Sequence, residues 1–297
     1  MKQSFTYYLT HLVIRLKGLK KNFSQDPIPY QKIRKEDVYR AKGKFFKENI
    51  SRIFQIATSE ITEISQKTTS NKLLIFVHGG AFISGPGQHH WDSIKEIAKN
   101  TDYNIWMCNY PKAPKHKIIE ISKNIDLIYS TALEQYQSSQ IVLIGDSVGG
   151  SLITALTQRL IKEKKALPNR IILVCPVMDA TMTNSEIEKV DPIDPILSKI
   201  GLLSAKKMCA ENDLKNVVIS PLYGNFEQFP QTILYLAEND ITYPDQKLVV
   251  NKLKEANVNF KVIIGENMPH IWPFLPIMKE AKLALHNIIK TLNNNTL

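Results

Sequence analysis

The stretch Ile141-Val-Leu-Ile-Gly145-Asp146-Ser147-Val148-Gly149-Gly150 constrains this chain more than any other. An apolar run of strand type passes straight into Gly-x-Ser-x-Gly, and a helical pattern begins at once behind it. A strand–turn–helix passage of this kind holds the serine in a strained conformation with its hydroxyl exposed. Glycines are needed two residues to either side, because a side chain there would meet neighbouring backbone. The helix behind the turn brings N–H groups and positive dipole to the place where an oxyanion would form. A chance Gly/Ser turn would lack that context, so the pattern predicts Ser147 as a nucleophile.

The rest of the chain supplies the sheet that such a turn requires. Short apolar runs follow one another at Ile53–Ala57, Ile61–Ile64, Leu73–Val77, Asn104–Cys108, Ile141–Ile144, Ile171–Cys175, Thr232–Ala237 and Phe260–Ile264. From the third run on, helical patterns separate most of them, at Trp91–Lys99, Ile118–Tyr136, Leu152–Lys164 and Asp245–Ala256, and a last one at Pro276–Leu292 closes the chain. Continuous apolar strands alternating with helices predict an α/β fold with a mostly parallel sheet of about eight strands, covered by helices on both faces.

Two regions fall outside this rhythm. Phe5, Tyr8, Leu9, Leu12, Val13, Leu16, Leu19 and Phe23 recur at steps of three and four, which predicts an amphipathic helix over residues 4–23. A second helix is expected from about Glu36 to Glu48, so residues 1–50 form an N-terminal helical segment ahead of a catalytic domain at 51–297. Between Cys175 and Thr232 more than fifty residues show no convincing strand. A structureless loop of that length is improbable in a compact domain, so a helical insertion is expected at about residues 178–218. With the N-terminal helices it could cap the carboxyl ends of the strands, where open α/β sheets bind ligands.

A second chemical signal is Leu73-Leu-Ile-Phe-Val77-His78-Gly79-Gly80-Ala81-Phe82, some 70 residues ahead of the serine turn. Bare glycine backbone after a strand can turn N–H groups towards a carbonyl oxygen, and His78 is expected to brace the loop rather than act as a base. His78-Gly79-Gly80-Ala81, Asn109-Tyr110-Pro111-Lys112-Ala113-Pro114, Gly145-Asp146-Ser147-Val148-Gly149-Gly150 and Ser220-Pro221-Leu222-Tyr223-Gly224 together resemble the hormone-sensitive-lipase-type esterase family. The resemblance covers most of residues 50–290. It implies an α/β-hydrolase domain with a helical cap, hydrolysis of carboxylic esters with short or medium acyl chains, and no cofactor or metal. Two departures stand out. Ala81 replaces the commoner third glycine but keeps its N–H, and Tyr110-Pro111-Lys112-Ala113-Pro114 replaces Tyr-Arg-Leu-Ala-Pro, which bears on loop packing.

The resemblance also directs the search for the partners of Ser147. Thr232-Ile-Leu-Tyr-Leu-Ala-Glu238-Asn239-Asp240 matches the family's strand ending in Ala-x-x-Asp, which points to Asp240 as the acid. Glu238 and Asp245 are the alternatives, although Asp245 reads better as the cap of the next helix. Of seven histidines only His270 and His286 follow Asp240. His270 lies in the loop after the last strand and His286 within a helical run, so His270 is the expected base. The order Ser147, Asp240, His270 is the one this fold uses. Backbone N–H groups of Gly79, Gly80, Ala81 and Val148 are the expected oxyanion donors, and Asp146 a structural hydrogen-bonding group.

Charge bears on partners. The net charge of +10 is concentrated in residues 1–72, which hold 15 Lys/Arg against 6 Asp/Glu, while the remainder holds 23 against 22. No nucleic-acid-binding motif accompanies that basic segment, and none is expected to act on nucleic acid. Two readings of the first helix stay open: its apolar residues Phe5, Leu9 and Leu12 pack on the body, which is preferred, or the helix touches anionic lipid. No stretch approaches the roughly 18 apolar residues of a membrane span, and no signal-peptide cleavage site follows the N-terminus. The three cysteines are then small core residues in a reducing cytoplasm. An amidase or peptidase with the same machinery, or a non-catalytic ligand binder on the same fold, are the competing functions.

Overall fold

A computed structural model describes residues 3–65, 70–210 and 213–294. The N-terminal segment holds helices α1 (Phe5–Lys17), α2 (Leu19–Phe23), α3 (Tyr30–Ile33) and α4 (Lys44–Asn49). Strands β1 (Ile50–Ile56), β2 (Ser59–Ile64) and β3 (Leu73–Val77) follow, then α5 (Gln88–Asn100), β4 (Asn104–Asn109), α6 (Ile118–Leu133), β5 (Ile141–Asp146), α7 (Val148–Lys162) and β6 (Arg170–Val174). The second half has α8 (Ile187–Val190), α9 (Lys199–Cys209), β7 (Gln231–Asn239), α10 (Tyr243–Glu255), β8 (Phe260–Pro269) and α11 (Lys279–Asn293). Among the described residues the sheet has eight strands in the order β1-β2-β4-β3-β5-β6-β7-β8. The pairings β1–β2 and β2–β4 are antiparallel, and all the others are parallel.

The continuous apolar strands have the cause expected of them, burial on both faces. Leu73, Ile75 and Val77 of β3 point into one core with Ile141 and Leu143 of β5, while Leu74, Phe76, Val142 and Ile144 point into the other. The first core is closed by α6, α7 and α10 through Ile121, Ile125, Leu152, Leu156, Val249 and Leu253. The second is closed by α5 and α11 through Trp91, Ile94, Ile97, Ala284 and Ile288. On each helix these residues recur at three- and four-residue steps; α5, α6, α10 and α11 leave their other face to solvent, whereas α7 is buried all round from Val148 to Thr157.

Three expectations about the appendages need correction. The helix over 4–23 is two helices, because Gly18 (φ +62°) ends the first with its N–H on Arg15 O at 3.0 Å, a left-handed terminus that glycine adopts without strain. No helix spans 36–48. Asp37 accepts the Gly85 N–H at 2.7 Å, Val38 N–H donates to Pro86 O at 2.7 Å, and Trp91 Nε1 donates to Val38 O at 2.6 Å. These bonds hold residues 37–38 extended against the loop after β3, and a helix restarts only at Lys44. The insertion expected at 178–218 is helical only in α8 and α9; residues 211–212 lie outside the described residues. Its irregular backbone is held by side chains instead, as where Asp194 Oδ1 accepts from Ile196 and Leu197 N–H at 2.7 and 2.8 Å.

α1 is also seated differently from expectation. Its buried residues are Tyr7, Thr10 and Ile14, whereas Phe5, Leu9 and Leu12, expected against the body, are 81%, 38% and 53% exposed. Polar bonds fix its first turn: Ser4 donates from its N–H and Oγ to Glu280 at 2.8 and 2.9 Å, and Tyr7 OH donates to Asn267 O at 2.9 Å. α2 then packs on α9, where the backbone of Phe23 lies against Gly201. Among the described residues no helix is long and apolar enough to cross a membrane.

Candidate active site

Ser147 links β5 to α7 with φ +52° and ψ −124°, a conformation that costs a residue with a side chain about 1–3 kcal/mol. Its neighbours hold it there: its N–H donates to Val174 O at 2.9 Å, and its carbonyl accepts the Val177 N–H at 3.1 Å. Position 149 must be glycine, since a Cβ there would lie 2.0 Å from the Val77 carbonyl oxygen. That close approach brings the start of α7 onto the end of β3, next to the Gly79–Ala81 loop.

Gly79 abuts Ser147, for a Cβ on it would come within 2.9 Å of Ser147 Cβ and 2.3 Å of Asp146 Oδ2. Its N–H donates to Asp146 Oδ1 at 3.0 Å, which corrects its expected role as an oxyanion donor: it ties the loop to the elbow. The N–H groups of Gly80, Ala81 and Val148 have no protein acceptor among the described residues. Ala81 stands at φ +54°, a region where glycine would be unstrained. Burial alone would raise the Asp146 carboxyl, but His90, bonded to it through Nε2 at 3.2 Å, holds it below its usual value.

The loop is braced from several sides. His78 stacks on Tyr110 with ring centroids 4.4 Å apart, and its Nδ1 lies 2.6 Å from Gly79 O. Complete burial drives its pKa far below normal, so it is neutral, in keeping with a structural role. Lys112, in the motif where an arginine is common, reaches Asn109 Oδ1 and Tyr110 O at 2.5 and 2.9 Å, and burial lowers its pKa to about 8. A guanidinium joins the loops after β3 and β4, that of Arg34, which donates to Ile83 O at 2.6 Å and Ala113 O at 2.5 Å. Sequence reasoning did not find Arg34, because nothing local marks an arginine in a basic segment as a clamp on distant loops.

Asp240 follows β7 and His270 follows β8, and the structure brings the two together, His270 Nδ1 lying 2.7 Å from Asp240 Oδ2. Both are buried. Oδ1 of Asp240 accepts from Thr242 N–H and Oγ1, both at 2.8 Å, and Oδ2 also accepts from Gln246 Nε2 at 3.2 Å. Burial would raise the Asp240 carboxyl, but the His270 ring and the Thr242 donors bring it below normal. Burial would likewise lower His270, yet the Asp240 charge outweighs it and the imidazole is raised above 6.5. Ser147 stands on the same rim at the end of β5. Among the described residues its Oγ makes no hydrogen bond to His270; such contacts often tighten only with substrate.

The alternative residues have other work. Glu238 accepts the Asn267 N–H at 3.0 Å on the surface. Asp245 is not a helix cap, since α10 starts at Tyr243; it is buried and accepts from Asn184 Nδ2 at 2.9 Å. His286 is exposed on α11. Asp194 is a residue the sequence did not flag: its Oδ2 accepts the Ile241 N–H at 2.8 Å, beside Asp240. Burial, with the Asp240 charge next to it, lifts its pKa to about 7.

Among the described residues, two groups bring three ligand-type atoms within 4.8 Å of one another, His89 with His90 and Asp146, and Cys175 with Asp240 and His270. In each a histidine is already bonded to the carboxylate, and burial pushes the Cys175 thiol far above its ordinary pKa, which disfavours a metal-binding thiolate.

Residues 74–274 match a family described as having the α/β hydrolase fold. An esterase of Acinetobacter venetianus is 29% identical over 233 residues, covering 76% of each chain. Esterase LipU of Mycobacterium tuberculosis is 25% identical over 209 residues, covering 68% of this chain and 70% of its own. Among solved structures, an esterase from the bacterial hormone-sensitive lipase family superposes with TM-score 0.84 at 21% identity, over 99% of both chains. An esterase/lipase from an uncultured bacterium gives 0.86 at 19% identity, over 98% of this chain and 99% of its own.

Proposed function

The chain belongs to the α/β-hydrolase fold family as a hormone-sensitive-lipase-type carboxylic ester hydrolase, and we propose that it works through an acyl-enzyme on Ser147. One observation supports this reading: the strained serine elbow after β5 and the buried Asp240–His270 pair, 2.7 Å apart after β7 and β8, all follow the carboxyl ends of parallel strands. With Nδ1 of His270 engaged by Asp240, Nε2 removes the Ser147 proton as Oγ attacks the ester carbonyl carbon. The Asp240 carboxylate fixes that tautomer and stabilises the imidazolium. The carbonyl oxygen becomes an oxyanion held by the N–H groups of Gly80, Ala81 and Val148, each worth about 3 kcal/mol of barrier lowering. His270 then protonates the departing alcohol, and water, deprotonated by the same nitrogen, releases the acid.

The substrates are carboxylic esters with short to medium acyl chains. The cap is built by the N-terminal helices with the segment after β6, and the packing of α2 on α9 supports this. The protein acts in the cytoplasm without a cofactor. Turnover of p-nitrophenyl esters from acetate to palmitate, beside matching anilides, tests the reading. Ester turnover that declines beyond medium chains and is lost in Ser147→Ala fits it. Anilide turnover at comparable rates would mean an amidase, and no turnover of either would mean a binding protein.

A further inference from the structure

α1 is docked with its apolar side outward. Phe5, Tyr8, Leu9, Leu12 and Leu16 are 81%, 58%, 38%, 53% and 78% exposed, and their steps of three and four place them on one stripe. A helix on a globular body normally turns that stripe inward. Here the inward side is Tyr7, Thr10 and Ile14, and the seating is fixed at both ends. At the start Glu280 accepts from Ser4, Thr6 Oγ1 accepts the Lys279 N–H at 2.9 Å, and Tyr7 OH bonds Asn267 O. At the far end Lys20 Nζ, just beyond Gly18, donates to the carbonyls of Asp191 and Asp194.

Two exposed apolar side chains also lie close in sequence to the points where the N-terminal helices are anchored. Ile277, two residues before Lys279, and Ile200, beside the Gly201 that meets Phe23, are 45% and 54% exposed. The border is basic: Arg15, Lys17 and Lys21 are exposed, and nearly all of the chain's net positive charge lies in residues 1–72. The anchors also locate α1 relative to the site, since Asn267 lies three residues before His270 and Asp194 bonds the backbone next to Asp240.

We propose that α1 is a docking surface for anionic lipid, with Phe5, Leu9, Leu12 and Leu16 in the boundary between headgroups and acyl chains. Arg15, Lys17 and Lys21 then lie against headgroup phosphates, as in other basic amphipathic helices that rest in an interface. A second copy of the chain is the other occupant an apolar stripe could attract, but pairing would bring two basic helices together without compensating charge. That esters held in the lipid are substrates rests on the esterase reading above; the docking itself does not.

The test is sedimentation of the full-length protein with phosphatidylcholine vesicles, with and without phosphatidylglycerol. Binding is expected to the anionic vesicles, weakened by salt, and reduced at least about tenfold in Phe5→Ala/Leu16→Ala, which removes exposed apolar contacts and leaves the charge unchanged. That variant keeps its turnover of p-nitrophenyl acetate, which shows that it is folded. Ser147→Ala binds vesicles as the wild type does, so loss of docking and loss of catalysis are read separately. Absent binding to anionic vesicles, or equal binding by the double variant, overturns the proposal. So does a wild-type dimer, seen by sedimentation velocity, that the double variant dissolves without any vesicle binding in either form.

Discussion

Replacing Asp240 by asparagine changes one atom in a fully enclosed site, and the hydrogen bonds there dictate the outcome. Oδ1 of Asp240 receives two donors from Thr242, and Oδ2 receives Gln246 Nε2 and the His270 ring. An asparagine keeps its oxygen where the Thr242 donors converge, which puts its NH₂ against His270 Nδ1. The imidazole must then accept at Nδ1 and carry its proton on Nε2, the nitrogen that has to receive the serine proton. The fall in kcat should be about 10⁴, as in the Ser-His-Asp type case, or about 5.5 kcal/mol. Steady-state hydrolysis of p-nitrophenyl butyrate, with circular dichroism to verify folding, reads the effect. Glu238→Gln should cost less than about tenfold, since Glu238 meets only a surface N–H and such bonds contribute little net stability. Asp240→Asn retaining more than a tenth of wild-type kcat, or equal losses in the two variants, would refute the reasoning.

Other outcomes follow from the same contacts. Because Asp240 raises His270 above 6.5, kcat/KM should fall as pH drops through a value above 6.5, where the imidazole becomes protonated and ceases to be a base. An acidic limb centred below 6.5 would contradict that sign. Asp194→Ala leaves the N–H groups of Ile196, Leu197 and Ile241 without their acceptor, so urea denaturation should show a loss of about 1–3 kcal/mol together with reduced kcat; no change in either would deny Asp194 its positioning role. Gly201→Ala would set a Cβ 2.0 Å from Phe23 O and part α2 from α9. It should shift the acyl-chain profile of kcat/KM while leaving Ser147 reactive, and an unchanged profile would remove α2 from the cap.

The core of the fold was legible because both-face burial writes long apolar runs into a parallel strand. Leu73–Val77 was found to the residue, and the other strands were located with shifts mainly at their ends, as where β8 continues past Ile264 to Pro269. The elbow was legible for a related reason, as close packing at Gly149 admits no side chain. What periodicity could not reveal was which way a stripe faces. α1 has an apolar stripe as expected, but polar bonds from Ser4 and Tyr7 seat it outward. Long-range polar contacts were equally hidden: Asp37 on Gly85 and Val38 on Pro86 abolish the helix expected at 36–48, and Gly79 gives its N–H to Asp146.

The central claim is a covalent intermediate on one serine, and a fluorophosphonate reagent with peptide mapping tests it most directly. The account requires a single adduct on the peptide containing Ser147, formed in step with loss of esterase activity and absent from folded Ser147→Ala. An adduct on another residue, or a Ser147→Ala protein that still labels and turns over ester, would contradict it.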